Sequence, residues 1–474
     1  MSQIIQELAR FAVETKLDDL PISIVQETKL ILMDSIGCAL GALSTDKGQM
    51  NVALARRFGG TPEASIIGTG DKVSLSNAAY ANGELFLTLD YSNIIAGGHD
   101  GVYVIPAPLA IAESVGASGK DLILTVALGL EISARIARAV GRFNITPQTL
   151  QRARGNEPGP GLTGNAYSNF GAAAAAGRLI KLDEEKMLHA LGIAGHLCMV
   201  LSYGRWQYSK NKYSAKYGVP GWQSTGAVTA VLLAEMGYTG DITVLDDPEH
   251  GFCYYVGYKQ WHPEEILDEL GKNWCFNTRI HYKPYPCCGV IHGILDCFYN
   301  IIEQYNLMPE EIESVRTFSM ANPDSPAFAH KEVNSISGAQ FSPQYNIAVA
   351  AHRIKPGVEW LIPETMTNPQ ILKFMNKVIC HPYSGNRRDA EKNPFASLAR
   401  VEVVAREKTF TEEITHKRGT AGSEVSWTEK EVIEKFRDNA SRCLTQEKTD
   451  RAIEAILELE KVDNITHLMR EVTL

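Results

Sequence analysis

Four short stretches hold the residue types that acid–base chemistry on a small anion requires. Asp90 ends the helical run that starts at Asn82, and Asn93 and His99 follow it in a turn containing Ala96-Gly97-Gly98 and Gly101. There a carboxylate and an imidazole can exchange a proton with a substrate that the backbone approaches closely, although the same residues suit a solvated helix terminus. Lys216 precedes Tyr217-Gly218-Val219-Pro220-Gly221-Trp222; its ammonium can anchor a carboxylate or stay a surface charge. The run His281-Tyr282-Lys283-Pro284-Tyr285-Pro286-Cys287-Cys288-Gly289-Val290-Ile291-His292 leaves a predicted strand, is stiffened by two prolines and enters a predicted helix. On that helix Cys288 and His292 share a face. Four readings stand side by side: a metal site, for which further ligands at zinc spacing are missing; a Cys–His nucleophile; two buried thiols beside a core histidine; and an anion pocket lined by Lys283 and His292. Finally, Tyr345 in Phe341-Ser342-Pro343-Gln344-Tyr345-Asn346 stands near the start of the predicted helix Ile347–Ala351, where a phenol can share a proton or pack at a domain seam.

Other chemistries lack their sequence handles. There is no G-x-x-x-x-G-K-[ST] loop and no H-E-x-x-H helix. The G-x-G-x-x-G match at Gly159–Gly164 follows the polar, turn-like segment 151–158 and not an apolar strand, so it predicts a loop and no dinucleotide site. Aconitase-type iron chemistry would need three suitably placed cysteines, which are not evident. The reading is chemistry without a metal or cofactor.

These residues must be positioned by a chain of 474 residues, too long for one core, so two domains are expected. Its net charge of -9 gives no attraction for nucleic acid or anionic membranes. No apolar run long enough to span a membrane and no basic, apolar leader occur, which predicts a cytosolic protein. Nine scattered cysteines without C-x-x-C spacing predict reduced thiols. Helical periodicity runs from residue 1 to about 270, through 74–89, 106–115, 122–140, 170–179, 184–201 and 225–236. Runs such as Ala172–Ala176 are apolar on more than one face and therefore belong inside a bundle. Strand-like alternation then appears at 278–282, 313–319, 399–405 and 409–415, and helical periodicity returns at 428–443 and 448–460. The predicted fold is mainly α: a large all-α helical bundle, 1–278 plus 423–474, with a smaller inserted α+β lid, 279–422.

Several of these stretches, taken in order, resemble the MmgE/PrpD family, which includes 2-methylcitrate dehydratase, cis-aconitate decarboxylase and iminodisuccinate epimerase. The resemblance begins at Leu32-Met33-Asp34-Ser35-Ile36-Gly37-Cys38-Ala39-Leu40-Gly41 and continues through Asn82-Gly83, Leu89-Asp90 and Phe170–Leu179. It then passes Lys216, Gly237-Tyr238-Thr239-Gly240 and Lys283-x-Tyr285-Pro286-x-Cys288 with His292, and ends at Phe341-Ser342-x-x-Tyr345. It implies a helical bundle with an inserted α+β lid, an active site between them, and a homodimer. Carried over by position, it implies active-site roles for Asp90, His99, Lys216, Lys283 and Tyr345, with His292 a further candidate. The chain departs from the family where L-D-x-D-D-T becomes Leu89-Asp90-Tyr91-Ser92-Asn93, where H-P-G becomes His99-Asp100-Gly101, and where the histidine of G-x-H-P-T near Gly161–Asn165 is absent. The expected function is a cofactor-independent lyase, a dehydratase or decarboxylase of a small di- or tricarboxylate, with an epimerase or isomerase using the same carbanion as the alternative. A thiol hydrolase and a non-catalytic binding protein are the remaining classes. His99, Asp90, Lys216 and Tyr345 are assigned to catalysis, and Lys283, His292, Cys288 and Asn93 to substrate binding.

Overall fold

Small residues decide how the helices of the first half cross. Gly129 and Gly171 face each other where the helices Gly119–Ala139 and Ser168–Leu179 meet. A Cβ on Gly171 would lie 2.1 Å from the Gly129 carbonyl oxygen, and one on Gly129 would lie 2.7 Å from the Gly171 carbonyl oxygen. The alanines that follow Gly171 are fully buried, as expected for a helix packed on several sides. Gly171→Val therefore destabilises the fold, by about 1–3 kcal/mol for an overpacked core, and a urea midpoint equal to wild type would contradict this crossing.

The computed structural model describes residues 4–141, 165–199, 203–209, 212–216, 219–330, 332–383 and 398–474. The fold is mainly α. Helices Ile4–Glu14, Ile22–Ala42, Asp46–Phe58, Leu75–Thr88, Pro106–Ser114, Gly119–Ala139, Ser168–Leu179, Glu184–His196 and Pro220–Glu235 build the first half. Helix Glu429–Ala440 returns to this assembly, with the Phe436 ring packed over Gly37 of Ile22–Ala42. Its N-cap is Thr428, which forms a capping box with Glu431.

The strands are β1 (Ala64–Ser65), β2 (Lys72–Val73), β3 (Ile94–Ile95), β4 (Ile280–His281), β5 (Ile312–Ser319), β6 (Val378–Pro382), β7 (Ala399–Ala405) and β8 (Lys408–Ile414). The last four form one sheet in the order β6-β5-β7-β8, with β5 and β6 parallel and the other pairs antiparallel. Ala399, Val401, Val403 and Ala405 alternate into the core, where helix His292–Gln304 covers the sheet with Ile294, Leu295 and Phe298.

Three expectations are corrected. The predicted strand at 278–282 does not join this sheet; it shortens to β4 and pairs with β3, Ile94 opposite His281 and Ile95 opposite Ile280. The helix expected to carry both Cys288 and His292 begins only at His292, so Cys288 lies in the turn before it. The helix around Tyr345 begins earlier than expected, at Pro343. Several elements had too little pattern to be seen, among them the two-residue strands β1, β2 and β3 inside the stretch expected to be all-α. Helix Asp46–Phe58 buries only Gly48, Val52 and Ala55, and β6 has five residues ending in proline. The Gly159–Gly164 motif lies outside the described residues. No helix among the described residues is long and apolar enough to cross a membrane. All nine cysteines are free thiols.

Candidate active site

Helix Leu75–Thr88 delivers Asp90 to the interior, and the residue takes a left-handed backbone with φ 49°. For a non-glycine residue that conformation costs on the order of 1–3 kcal/mol and persists only where the surroundings impose it. The β3–β4 pairing then lays the chain that leads to Lys283 against the loop that follows Asp90, and the Ala96 N–H donates to the Arg279 carbonyl at 3.0 Å. A two-residue ladder thus brings together groups 193 positions apart.

Four of the predicted residues meet there. The Lys283 ammonium lies 2.9 Å from Asp90 Oδ1 and also donates to the Asp90 backbone carbonyl. Lys216 Nζ lies 3.1 Å from Oδ2, and His99 Nε2 lies 3.3 Å from Oδ1. Asp90 and Lys283 are 0% exposed, Lys216 1% and His99 8%. Burial would raise the Asp90 carboxyl, but Lys216, Lys283 and His99 outweigh it and hold it well below the usual carboxylate range. Burial pulls the Lys216 ammonium down to about 8; Asp90 opposes this and the like charge of Lys283 adds to it. Two ammonium groups around one carboxylate leave a net positive site, and protonation of His99 adds to it.

Residues that sequence reasoning missed hold these groups in place. Gln340 accepts from Lys216 Nζ at 3.2 Å and donates to the Thr88 carbonyl at 2.8 Å, so one amide spans the lysine and the helix leading to Asp90. The Phe341 ring faces the same ammonium, 5.2 Å from its centroid. Lys212 is held by the carbonyls of Gln207, Ser209 and Pro326 at 2.7, 3.3 and 3.3 Å. This ties the segment ahead of Lys216 to the second half of the chain. A second buried ion pair lies behind the site. Lys435 Nζ is 2.7 Å from Asp34 Oδ1 and donates to the carbonyls of Tyr91 at 2.5 Å and Lys283 at 3.1 Å. Lys435 was legible in principle, because it stands on the stripe Val432, Phe436 and Asn439 that its helix buries. Gln340 carried no comparable signal.

The other predicted residues are engaged elsewhere. Asn93 donates from its backbone and side-chain amides to Asp34 Oδ2, at 2.7 and 2.9 Å, which braces the turn after Asp90 and turns the side chain away from the cluster. The Tyr345 hydroxyl donates to the Trp360 carbonyl at 2.5 Å, so the phenol expected to share a proton is committed to backbone. His292 stands between the Cys287 carbonyl, 3.1 Å from Nε2, and His281 Nε2, 3.3 Å from Nδ1. Burial, with Lys283 and Lys417 nearby, pushes it well below its usual value, so it is a neutral bridge and not an anion ligand. Cys288 lies close enough to Asp90 and Lys283 to feel both charges, yet burial dominates and raises its thiol; Cys287 is raised further. A thiol kept protonated is a poor nucleophile. Accordingly, iodoacetamide at neutral pH leaves Cys287 and Cys288 unmodified in the folded protein, and peptide mapping that finds either alkylated at the rate of an exposed thiol would reverse this assignment. No group of three or more His, Cys, Asp or Glu side chains among the described residues is arranged to hold a metal ion.

Fold and site together define a mainly α protein with a buried, net cationic Lys–Asp–Lys–His cluster, suited to acid–base chemistry on an anion. The chain belongs to the MmgE/PrpD family: residues 6–264 match its N-terminal domain and residues 285–461 its C-terminal domain. Among its relatives are a cis-aconitate decarboxylase-like protein of Aspergillus oryzae, 24% identical over 98% of this chain and 96% of the relative, and the cis-aconitate decarboxylase of Aspergillus terreus, 24% identical over 99% and 95%. The human cis-aconitate decarboxylase is 22% identical over 96% of this chain and 91% of its own.

Proposed function

We propose that the protein is a cofactor-independent lyase acting on a small di- or tricarboxylate, with decarboxylation of a cis-aconitate-like acid as the first reaction to examine. The observation that carries this reading is the excess of buried positive charge around Asp90. A polycarboxylate that loses CO2 or a proton next to a carboxylate develops further negative charge, and preorganised ammonium groups in a water-poor site stabilise it most effectively. Lys216 and Lys283 supply that charge. Asp90 is too weak a base at neutral pH, being held so far down; its role is to fix both lysines and to hold His99 in place. His99 is the acid/base. In decarboxylation the bond to the departing carboxylate breaks, CO2 leaves, the electron pair stays on the α-carbon, and the His99 imidazolium protonates it. In dehydration neutral His99 takes the α-proton, and the hydroxyl leaves as water after the resulting imidazolium returns that proton to it. The residues 279–422, which supply Lys283 and Gln340, act as the lid over the bundle residues that supply Asp90, His99 and Lys216.

Proton NMR of the enzyme with cis-aconitate in deuterium oxide tests the reading. Loss of CO2 with one deuterium placed on carbon is the expected result. Deuterium exchange without net conversion on any di- or tricarboxylate would instead assign the epimerase chemistry. Activity falls as pH rises through about 8, because Lys216 then loses the charge that holds the substrate anion; a rate that keeps rising to pH 10 would remove Lys216 from that role.

A further inference from the structure

A separate cavity of about 290 Å³ opens between helix His292–Gln304, the end of β8 and the segment 416–425. None of the Asp90 cluster lines it. One wall is aromatic: the Tyr285 and Tyr299 rings stack at 5.7 Å with an interplanar angle of 7°. Ile414, Val425 and Pro356 add apolar surface. The aromatic wall is rigid, because the Tyr285 hydroxyl donates to Asp296 Oδ1 at 2.8 Å and the Arg418 backbone N–H donates to Asp296 Oδ2 at 2.8 Å, leaving that buried carboxylate fully occupied.

One cation in the cavity is unused. The Arg418 guanidinium lies 5.7 Å from the Tyr285 ring centroid and makes no side-chain hydrogen bond or ion pair among the described residues. A guanidinium held over an aromatic face is a ready seat for a carboxylate. The acidic residues set the limit on charge. Asp296 and Glu303 also line the cavity, and they would repel a second anionic group beyond the one that Arg418 neutralises.

We propose that this cavity is an accessory binding site for a small monocarboxylate, its carboxylate paired with the Arg418 guanidinium and its apolar body against Tyr285, Ile414 and Val425. The site is independent of the lyase reading and differs from the Asp90 cluster in the charge it accepts: one carboxylate, not two or three.

Sodium benzoate is a suitable probe, followed by isothermal titration calorimetry on the full chain without turnover. Benzoate binds wild type, and binds Arg418→Gln about tenfold or more weakly, the loss typical of a charge-assisted hydrogen bond. Arg418→Gln keeps the backbone donor to Asp296. Benzamide, the neutral isostere, binds at least about tenfold more weakly than benzoate. Absence of benzoate binding to wild type, equal binding to Arg418→Gln, or equal binding of benzamide would each overturn the proposal. So would loss of binding in Lys216→Ala with retention in Arg418→Gln, which would place the probe at the Asp90 cluster. A failed titration here leaves the lyase reading untouched, because no activity is measured.

Discussion

Lys216→Ala lowers turnover by at least about 10²-fold, the typical loss when one preorganised charge partner is removed from a developing anion. Lys216 is the informative lysine because its removal leaves the rest of the cluster neutral and paired. Asp90 keeps Lys283 at 2.9 Å and His99 at 3.3 Å, so the variant loses a cation without exposing an uncompensated buried charge. The helical circular dichroism spectrum is therefore unchanged while rate falls. His99→Ala lowers turnover by about 10²- to 10⁴-fold as the loss of a general acid or base, with the same spectrum. Asp90→Ala would be a poorer experiment, since it strands two ammonium groups, 0% and 1% exposed, without their counter-charge, and rate and fold would be lost together. Turnover of either alanine variant within a few fold of wild type, on a substrate the wild type converts, would remove that residue from the chemistry.

The largest effect on stability is expected at the buried ion pair behind the site. Lys435→Met leaves Asp34 buried at 1% exposure with only the Asn93 amides for partners, and breaking a buried pair from one side typically costs about 3–5 kcal/mol. The same change frees the carbonyls of Lys283, a member of the cluster, and of Tyr91, which follows Asp90. The double variant Asp34→Asn/Lys435→Met recovers a large part of the loss, because neither partner is then an unpaired charge. Urea unfolding of the single and double variants measures both. A single variant as stable as wild type, or a double variant no better than the single, would show that the pair does not join the chain ends as described.

Much of the helical architecture was legible locally. Apolar periodicity found most of the long helices to within a few residues, since a helix buried on one or more faces must show it in its own sequence. Helix Asp46–Phe58 and strand β6 escaped for the complementary reason: the one buries three small positions, and the other is too short for a pattern. The candidate residues were legible in part. Asp90, His99, Lys216 and Lys283 stand beside glycine- or proline-rich turns, and the order of the motifs around them resembles one family.

Type and spacing by themselves thus determined a mainly α protein and a short set of ionisable side chains able to do acid–base chemistry. The tertiary structure alone decided which of those side chains meet. It placed three around the Asp90 carboxylate, sent Asn93 to Asp34 and Tyr345 to the Trp360 carbonyl, locked His292 between a carbonyl and His281, and recruited Gln340 and Lys435. The reason is physical. Helical periodicity is a property of neighbours in the chain, whereas a buried charge must find its partner wherever packing brings one within about 3 Å, here across 193 residues between Asp90 and Lys283.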